Sequence, residues 1–374
     1  MKIGLIGFGY MGKSHAYAVQ NLRYYYGASA PDAAIVGVCT ASPETAEAAC
    51  QGFSLGRAFS SEEELIACPD IDSIDVCSPN VYHYDTVKKA LLAGKHVYCE
   101  KPLAITAAQA EELAALAKEK NVTAQVVFNY RFMAGVMAAK RLIDEGRLGR
   151  IVTFRAAYLH SSCADPSRHA GWKQDKRICG GGVLFDLGSH ALDIVRYLCG
   201  EFAEIAGHAQ IAHPIRVGRD GKPWQTNAEE AFYMTAVLQN GAVGTVEANK
   251  LALGTNDDLS FEVYGERGAL RYSLMQPNYL EFYDSSRPGG ELGGERGFTR
   301  VECVGRFPAP GGVFPAVKAP TGWLMGHVGS MYAFLTAAAS GKAGSPSFED
   351  GARIQQVMEA AYASSAQQGR SIRL

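Results

Sequence analysis

Three side chains in this 374-residue chain have the types and spacing to move a proton. Lys101 closes the run His96-Val97-Tyr98-Cys99-Glu100-Lys101-Pro102, and Asp186 and His190 lie four residues apart behind Gly180-Gly181-Gly182. On a helix that interval puts both side chains on one face, beside an apolar stripe of Leu187, Ala191, Ile194 and Leu198. An imidazole, with an unperturbed pKa of about 6.5, suits a general base at neutral pH. By itself the Asp-His pair also reads as a helix cap, and a Glu-Lys pair at a strand end also reads as a solvated turn. No metal site is expected, because no further cluster of ligand residue types accompanies Asp186 and His190.

The matching half of such chemistry is written at the start of the chain. Gly7-Phe8-Gly9-Tyr10-Met11-Gly12 is a G-x-G-x-x-G pattern that directly follows the apolar run Lys2–Ile6 and opens a helix. The first glycine allows a tight turn, the second lets backbone approach a pyrophosphate, and the third lets helix and strand pack closely. The helix N-terminus then faces the phosphates. At the end of the second strand an Asp or Glu would favour NAD and an Arg would favour NADP. Here the residues are Thr40 and Ser42, either able to bond a ribose hydroxyl or a 2′-phosphate. NAD is the expectation over NADP, since no nearby arginine offers to neutralise a phosphate.

These residues need elements to hold them. The first third alternates strands (Lys2–Ile6, Ala34–Cys39, Ser73–Cys77, His96–Cys99, Thr123–Phe128) with helices (Lys13–Leu22, Pro43–Cys50, Glu62–Ala67, Tyr84–Ala93, Ala107–Lys120). That alternation implies a parallel sheet covered on both faces. Ligands of such sheets bind at the C-terminal ends of the strands, so Lys101 is aimed at the crevice where a nicotinamide would lie. From about residue 150 strand follows strand: Ile151–His160, Glu204–Ala212, Ala231–Leu238, Val243–Leu251, Leu259–Tyr264, Ala269–Ser273 and Tyr279–Tyr283. Asn240-Gly241 is a hairpin signal. Helices are expected at Phe132–Glu145, Asp186–Cys199, Leu324–Ala339 and Glu349–Ala366. The expected architecture is therefore α/β: an N-terminal doubly wound parallel sheet over 1–123, then an α+β domain over 124–374 with a large, mostly antiparallel sheet open on one face. An open apolar face would serve a homodimer or homotetramer, and helix 349–367 would pack back on the first domain. The stretch 285–321, rich in Gly and Pro, reads as a long loop of undetermined role.

Bulk properties exclude other classes. A net charge of −2 advertises no nucleic-acid partner, and no long apolar run suggests a membrane span. The N-terminus lacks a signal-peptide cleavage pattern. Nine scattered cysteines without a C-x-x-C pair read as reduced core residues, which suits a cytoplasmic location.

Together these motifs resemble the Gfo/Idh/MocA family of oxidoreductases. The resemblance spans nearly the whole chain: the opening glycines, Cys77-Ser78-Pro79-Asn80 with His83, Glu100-Lys101-Pro102, Asn129-Tyr130-Arg131, and G-G-x-x-x-D-x-G-x-H ending at His190. Within the family the chain is similar to members that oxidise anhydrosugars and glycosides at a ring hydroxyl, on Met11-Gly12-Lys13-Ser14-His15, Tyr158-Leu159, Asp165-Pro166 and Ser345-Pro346-Ser347-Phe348. The resemblance implies a Rossmann domain and an NAD(P)-dependent dehydrogenase of a sugar, anhydrosugar or glycoside. It implies cofactor contacts from Gly7, Phe8, Gly9, Tyr10, Met11, Gly12, Thr40, Ser42, Ser78, Pro79, Asn80, His83, Glu100, Lys101 and Asn129. It gives Lys101 the reacting hydroxyl beside the nicotinamide, and Asp186 and His190 substrate binding and deprotonation. Tyr130, Arg131, Tyr158, His160 and Trp172 fall where the family builds its sugar pocket. His15 reads as a helix-start residue near the cofactor rather than a catalyst. Two alternatives share the motifs: an NAD-dependent glycosidase working by transient ring oxidation, and a non-catalytic dinucleotide-binding regulator.

Overall fold

A computed structural model describes residues 1–374 apart from 219, 307–308 and 312–319. The chain forms two compact units. The first comprises 1–132, 308–319 and 324–355, and the second comprises 133–307, 320–323 and 356–374.

In the first unit, strands β1 (Lys2–Ile6), β2 (Ala34–Cys39), β3 (Arg57–Ala58), β4 (Ser73–Val76), β5 (His96–Cys99) and β6 (Ala124–Val126) alternate with α1 (Tyr10–Tyr26), α2 (Pro43–Phe53), α3 (Glu62–Ala67), α4 (His83–Leu92) and α5 (Ala107–Glu119). The strands pair in parallel in the order β3-β2-β1-β4-β5-β6. The order reverses direction between β1 and β4, which opens a crevice at their C-terminal ends. Because Ala124–Val126 pairs with β5 as the sixth strand, the first unit runs past the expected boundary at 123 to Phe132. Helix starts follow local chemistry. Ser42 caps α2 by accepting from Thr45 N with Pro43 at the first position, and Ser61 and Thr106 cap α3 and α5 in the same way. The core joins Ile3, Leu5, Val19, Leu22 and Val38 to Val328, Met331 and Phe334 from near the C-terminus.

The second unit contains α6 (Ala134–Asp144), β7 (Ile151–His160), α7 (Lys176–Cys179), a π-turn at Leu184–Gly188, α8 (Ser189–Cys199), β8 (Phe202–Gln210), β9 (Ile215–Val217), β10 (Pro223–Gln225), β11 (Ala231–Leu238), β12 (Val243–Asn249), β13 (Asp257–Gly265), β14 (Gly268–Ser273), β15 (Tyr279–Asp284) and β16 (Thr299–Glu302). Two late helices follow, α9 (Trp323–Ala339) and α10 (Phe348–Ala366), and then β17 (Ile372–Arg373). All of α9 after Trp323 and α10 as far as Gln355 belong to the first unit, and the rest of α10 to the second.

The large sheet runs β16-β15-β14-β13-β7-β12-β11-β8-β17, antiparallel except for β7 beside β12. One face is covered by α6 and α8. The other is not the apolar surface expected. Arg155, Glu247, Glu262, Arg271, Glu281 and Arg300 line a shallow cavity of about 490 Å³ on it. The expected loop over 285–321 contains the edge strand β16, and its residues 307–308 and 312–319 lie outside the described residues. The stretch Lys176–Cys199 is long and apolar enough to cross a membrane, yet 83% of its apolar window is buried inside the protein, as befits a core helix.

Candidate active site

The cofactor half of the site is built at the C-terminal ends of β1, β4 and β5. Gly7 turns with φ +92°, a conformation costly for any residue with a Cβ, and its own Cβ would fall 2.7 Å from the Cys77 carbonyl. Gly9 has open space where its side chain would be, so its backbone can be approached. A Cβ on Gly12 would strike the Gly7 carbonyl oxygen, so α1 packs directly on the turn. These are the three demands of a dinucleotide turn. Two buried polar atoms nearby, Ser78 Oγ and Asn129 Nδ2, have no hydrogen-bond partner among the described residues. Such atoms call for a partner, and the expected carriers of the cofactor include both residues. The pocket thus fits a nicotinamide dinucleotide.

Other expected cofactor residues are placed differently. Phe8 packs edge-on against Phe53, Tyr10 is exposed at the start of α1, and Met11 is half-buried. Thr40 Oγ1 bonds Thr45 Oγ1 (2.5 Å) and the Ser42 carbonyl, and Ser42 caps α2. A ribose hydroxyl at Thr40 or Ser42 would compete with these bonds. Pro79 and Asn80 form the turn into α4. His83 is sealed, its two nitrogens facing the Ser78 and Pro102 carbonyls at 2.9 and 2.8 Å. Burial pushes its pKa down. It is a staple between the Ser78 turn and the Glu-Lys-Pro turn rather than a ligand-facing group.

Glu100 is likewise turned inward. One carboxylate oxygen accepts from the Lys101 backbone N–H (3.1 Å) and the other lies 3.2 Å from His15 Nε2. His15 Nδ1 faces Asp75 at 2.9 Å, with Cys77 Sγ 3.1 Å away. With a carboxylate at each nitrogen, both must donate, so His15 is an imidazolium. Burial would push its pKa down, but the Asp75 charge and hydrogen bond outweigh this and hold it well above 6.5. For Glu100, burial works upward and His15 overrides it, bringing the carboxyl down to about 2. The neighbouring His327 on α9 is pushed down to about 3 by burial and by the His15 charge. The sequence reading missed this network. Two triads sharing His15, one with Glu100 and His327 and the other with Asp75 and Cys77, each hold their ligand-type atoms within 4.8 Å of one another, so folding does assemble clusters of ligand residue types away from Asp186 and His190. The signal was Asp75, a charge inside a strand whose every residue is buried. Lys101 itself stands half-buried at the end of this scaffold. Asn129, Tyr130 and Arg131 form a buried turn after β6. There Arg131 pairs with Asp350 (3.3 Å), which also caps the start of α10 through the Ser347 N–H.

Asp186, His190, Tyr158, His160 and Trp172, which the resemblance assigns to the substrate, lie in the second unit. Glu229 is buried and gathers the backbone N–H groups of Gly182 (3.0 Å) and Leu184 (3.1 Å) and the Tyr362 hydroxyl (2.6 Å). It thereby satisfies orphan donors at a helix start. Gly182 must be glycine, since a Cβ there would collide with the Glu229 backbone. Asp186 does not sit on a regular α-helix, as its spacing to His190 suggested. It lies in the π-turn 184–188, and His190 lies in the first turn of α8. Such π-turns recur at functional sites. His190 is buried, its ring 6.0 Å from that of Tyr158, and Tyr158 is 5.6 Å from His160 on the same face of β7. His160 Nε2 in turn pairs with Asp257 at 2.7 Å. Trp172, more than a third exposed, is carried by a turn at 172–174. The preceding loop is tethered by Arg216, which is buried against Glu230 and donates to the Cys163 and Asp165 carbonyls. Two lysines absent from the sequence reading, Lys173 and Lys250, both pair with Asp186.

Residues 1–128 match the model of an oxidoreductase family with an NAD-binding Rossmann fold, and residues 136–271 match that family's C-terminal domain, GFO/IDH/MocA. Levoglucosan dehydrogenase of Pseudarthrobacter phenanthrenivorans is 32% identical over 98% of this chain and 97% of its own length. Glucose-6-phosphate 3-dehydrogenase of Bacillus subtilis is 26% identical over 96% of this chain and 94% of its own. A solved complex of levoglucosan dehydrogenase with NADH and levoglucosan superposes with a TM-score of 0.94, at 31% identity, covering all of this chain and 99% of that one.

Proposed function

Since this chain belongs to the Gfo/Idh/MocA family of NAD-binding oxidoreductases, we propose that it oxidises a ring hydroxyl of an anhydrosugar or glycoside, with NAD as hydride acceptor. It is an NAD-dependent dehydrogenase of a sugar or anhydrosugar. The observation that carries the finer reading is the row of rings formed by His190, Tyr158 and His160, in a chain akin to levoglucosan dehydrogenase along its whole length.

When bound, the nicotinamide supplies the electrophile that takes a hydride from the carbinol carbon. As the hydride departs, the hydroxyl must lose its proton, and His190 is the group with the affinity to take it. Asp186 holds a substrate hydroxyl as an acceptor, and Lys101 donates to the reacting oxygen. Tyr158, His160 and Trp172 offer ring faces and polar edges to a sugar. Arg131, committed to Asp350, belongs to the scaffold rather than to the substrate. Glu100 and His83 hold the turn that carries Lys101, while Gly9, Ser78 and Asn129 face the dinucleotide. None of the nine cysteines is in a disulfide, which supports a cytoplasmic location. The open face of the large sheet carries charges of both signs, which lets it be self-complementary across a two-fold axis, and this supports a homodimer or homotetramer.

The test is a screen of free sugars, anhydrosugars and glycosides for the absorbance of reduced nicotinamide, with NAD and with NADP. Turnover on levoglucosan or a related ring with NAD is expected. No reduction with any sugar would remove the proposal, and aglycone release without net NADH would replace it with the transient-oxidation glycosidase.

A further inference from the structure

The carboxylate of Asp186 is shared by two ammonium groups of unlike standing. Lys173 Nζ lies 2.8 Å from each oxygen, on a turn where its side chain is 45% exposed. Lys250 Nζ lies 2.7 Å from Oδ2 and its side chain is 7% exposed. Lys250 is also fixed through its backbone. Its N–H donates to the Glu230 carbonyl and its own carbonyl accepts from Cys163 N, both at 2.8 Å. Taking an ammonium out of water costs several kcal/mol and is sustained only by a close, well-oriented anion. Burial accordingly works against the Lys250 cation, yet Asp186 outweighs it and its pKa is raised, with lesser help from Cys163 and Glu229. By reciprocity the same coupling favours the carboxylate of Asp186 over its acid form. Among the described residues, the charged and titratable groups around the pair include Lys173, Cys163, Cys179, and Glu229 with its own partner Lys176.

We propose that Lys250 is a positioning residue of the sugar site: it holds Asp186 as an ionised, oriented acceptor for a substrate hydroxyl, leaves proton removal to His190, and makes Lys173 the partner that substrate displaces. This rests on the sugar-dehydrogenase reading above. A carboxylate has about four lone-pair sites. The fixed lysine takes one and the loop-borne lysine bridges both oxygens, so exchange at Lys173 frees acceptor capacity without disturbing the buried pair.

The experiment compares wild type, Lys250→Met, Asp186→Asn, the double variant and Lys173→Met on the best sugar from the screen. Loss of the buried ammonium should move the acid limb of the kcat/KM profile of Lys250→Met upward by about one pH unit and raise KM roughly tenfold. NAD affinity should be unchanged. In the Asp186→Asn background the same lysine substitution should change KM less than about twofold, because Lys250 acts through the carboxylate. Lys173→Met should alter KM no more than about fivefold, as for an exposed pair. An unmoved acid limb, or an undiminished Lys250→Met effect without Asp186, would overturn the proposal. Thermal melts of the same four Lys250 and Asp186 combinations between about pH 2 and 8, a window that spans the ordinary Asp pKa of about 3.9, need no substrate. The stability advantage of wild type over Lys250→Met should shrink as pH falls and the carboxylate protonates. A pH-independent difference, or zero coupling between the two sites, would refute the positioning role even if sugar turnover succeeds. Failure of the sugar screen with intact coupling would refute the substrate reading alone.

Discussion

In the first unit a single imidazolium, His15, is held between two carboxylates, Asp75 and Glu100; in the second a single carboxylate, Asp186, is held between two ammonium groups. The first cluster is sealed, with His15 at 0%, Asp75 at 1% and Glu100 at 7% side-chain exposure. The second leaves Asp186 and Lys173 open to solvent. A sealed cluster has no ligand to exchange with. It fixes the end of β5 and hence the turn carrying Lys101. A half-open cluster can trade one partner for a substrate hydroxyl. The same elementary interaction becomes scaffold or site according to whether one partner can leave.

The comparison is broken most severely at the reacting groups. His190→Ala should lower kcat by about 10²–10⁴, the usual worth of a general base, with NAD affinity intact by calorimetry. Lys101→Ala should behave likewise, and ordinary turnover in either would remove its role. Next comes the sealed cluster. His15→Leu leaves two buried carboxylates facing each other and should cost roughly 3–5 kcal/mol of stability in denaturant titration. A loss below about 1 kcal/mol would mean that the imidazolium bridge contributes little.

The pH dependence of that stability sharpens the point. His15 is raised from 6.5, so its contribution is complete below that value and fades as pH rises through the folded pKa. Glu100 is lowered from 4.5 to about 2, so its contribution is complete above 4.5 and fades as pH falls toward 2. Wild type should therefore gain most over His15→Leu between about pH 4.5 and 6.5 in melts. A difference that is flat across pH 3–9 would contradict the bridged charges. The smallest effect belongs to the exposed pair His160–Asp257, with side chains 27% and 29% accessible. Asp257→Asn should change stability by less than about 1 kcal/mol, which makes it the control for the sealed pair.

Much of the scaffold was legible in the residues. The strand β7 was readable to the residue at Ile151–His160, since apolar runs bounded by turn residues mark strands. The three glycines announced their separate duties, because each duty is a local backbone demand. Other features were not legible. The π-turn at 184–188 breaks the helix period that the Asp186–His190 spacing assumed. The polar open face contradicts an apolar expectation, because which face of a strand meets solvent depends on the whole sheet. Lys250 carried no signal of its own within the expected strand Val243–Leu251, and His15 read as a helix-start residue. Their partners lie 64 and 60 residues away along the chain (250 − 186 and 75 − 15).

The sequence alone determined the parallel sheet and the dinucleotide turn, because these rest on periodicity and on glycine's freedom at fixed local spacings; it put forward Lys101, Asp186 and His190 only through the family resemblance. Tertiary structure alone decided which charges meet. It put His15 between Asp75 and Glu100, and Lys173 and Lys250 around Asp186. Ionisation inside a protein depends on distance and burial, and neither is a property of neighbouring positions in a chain.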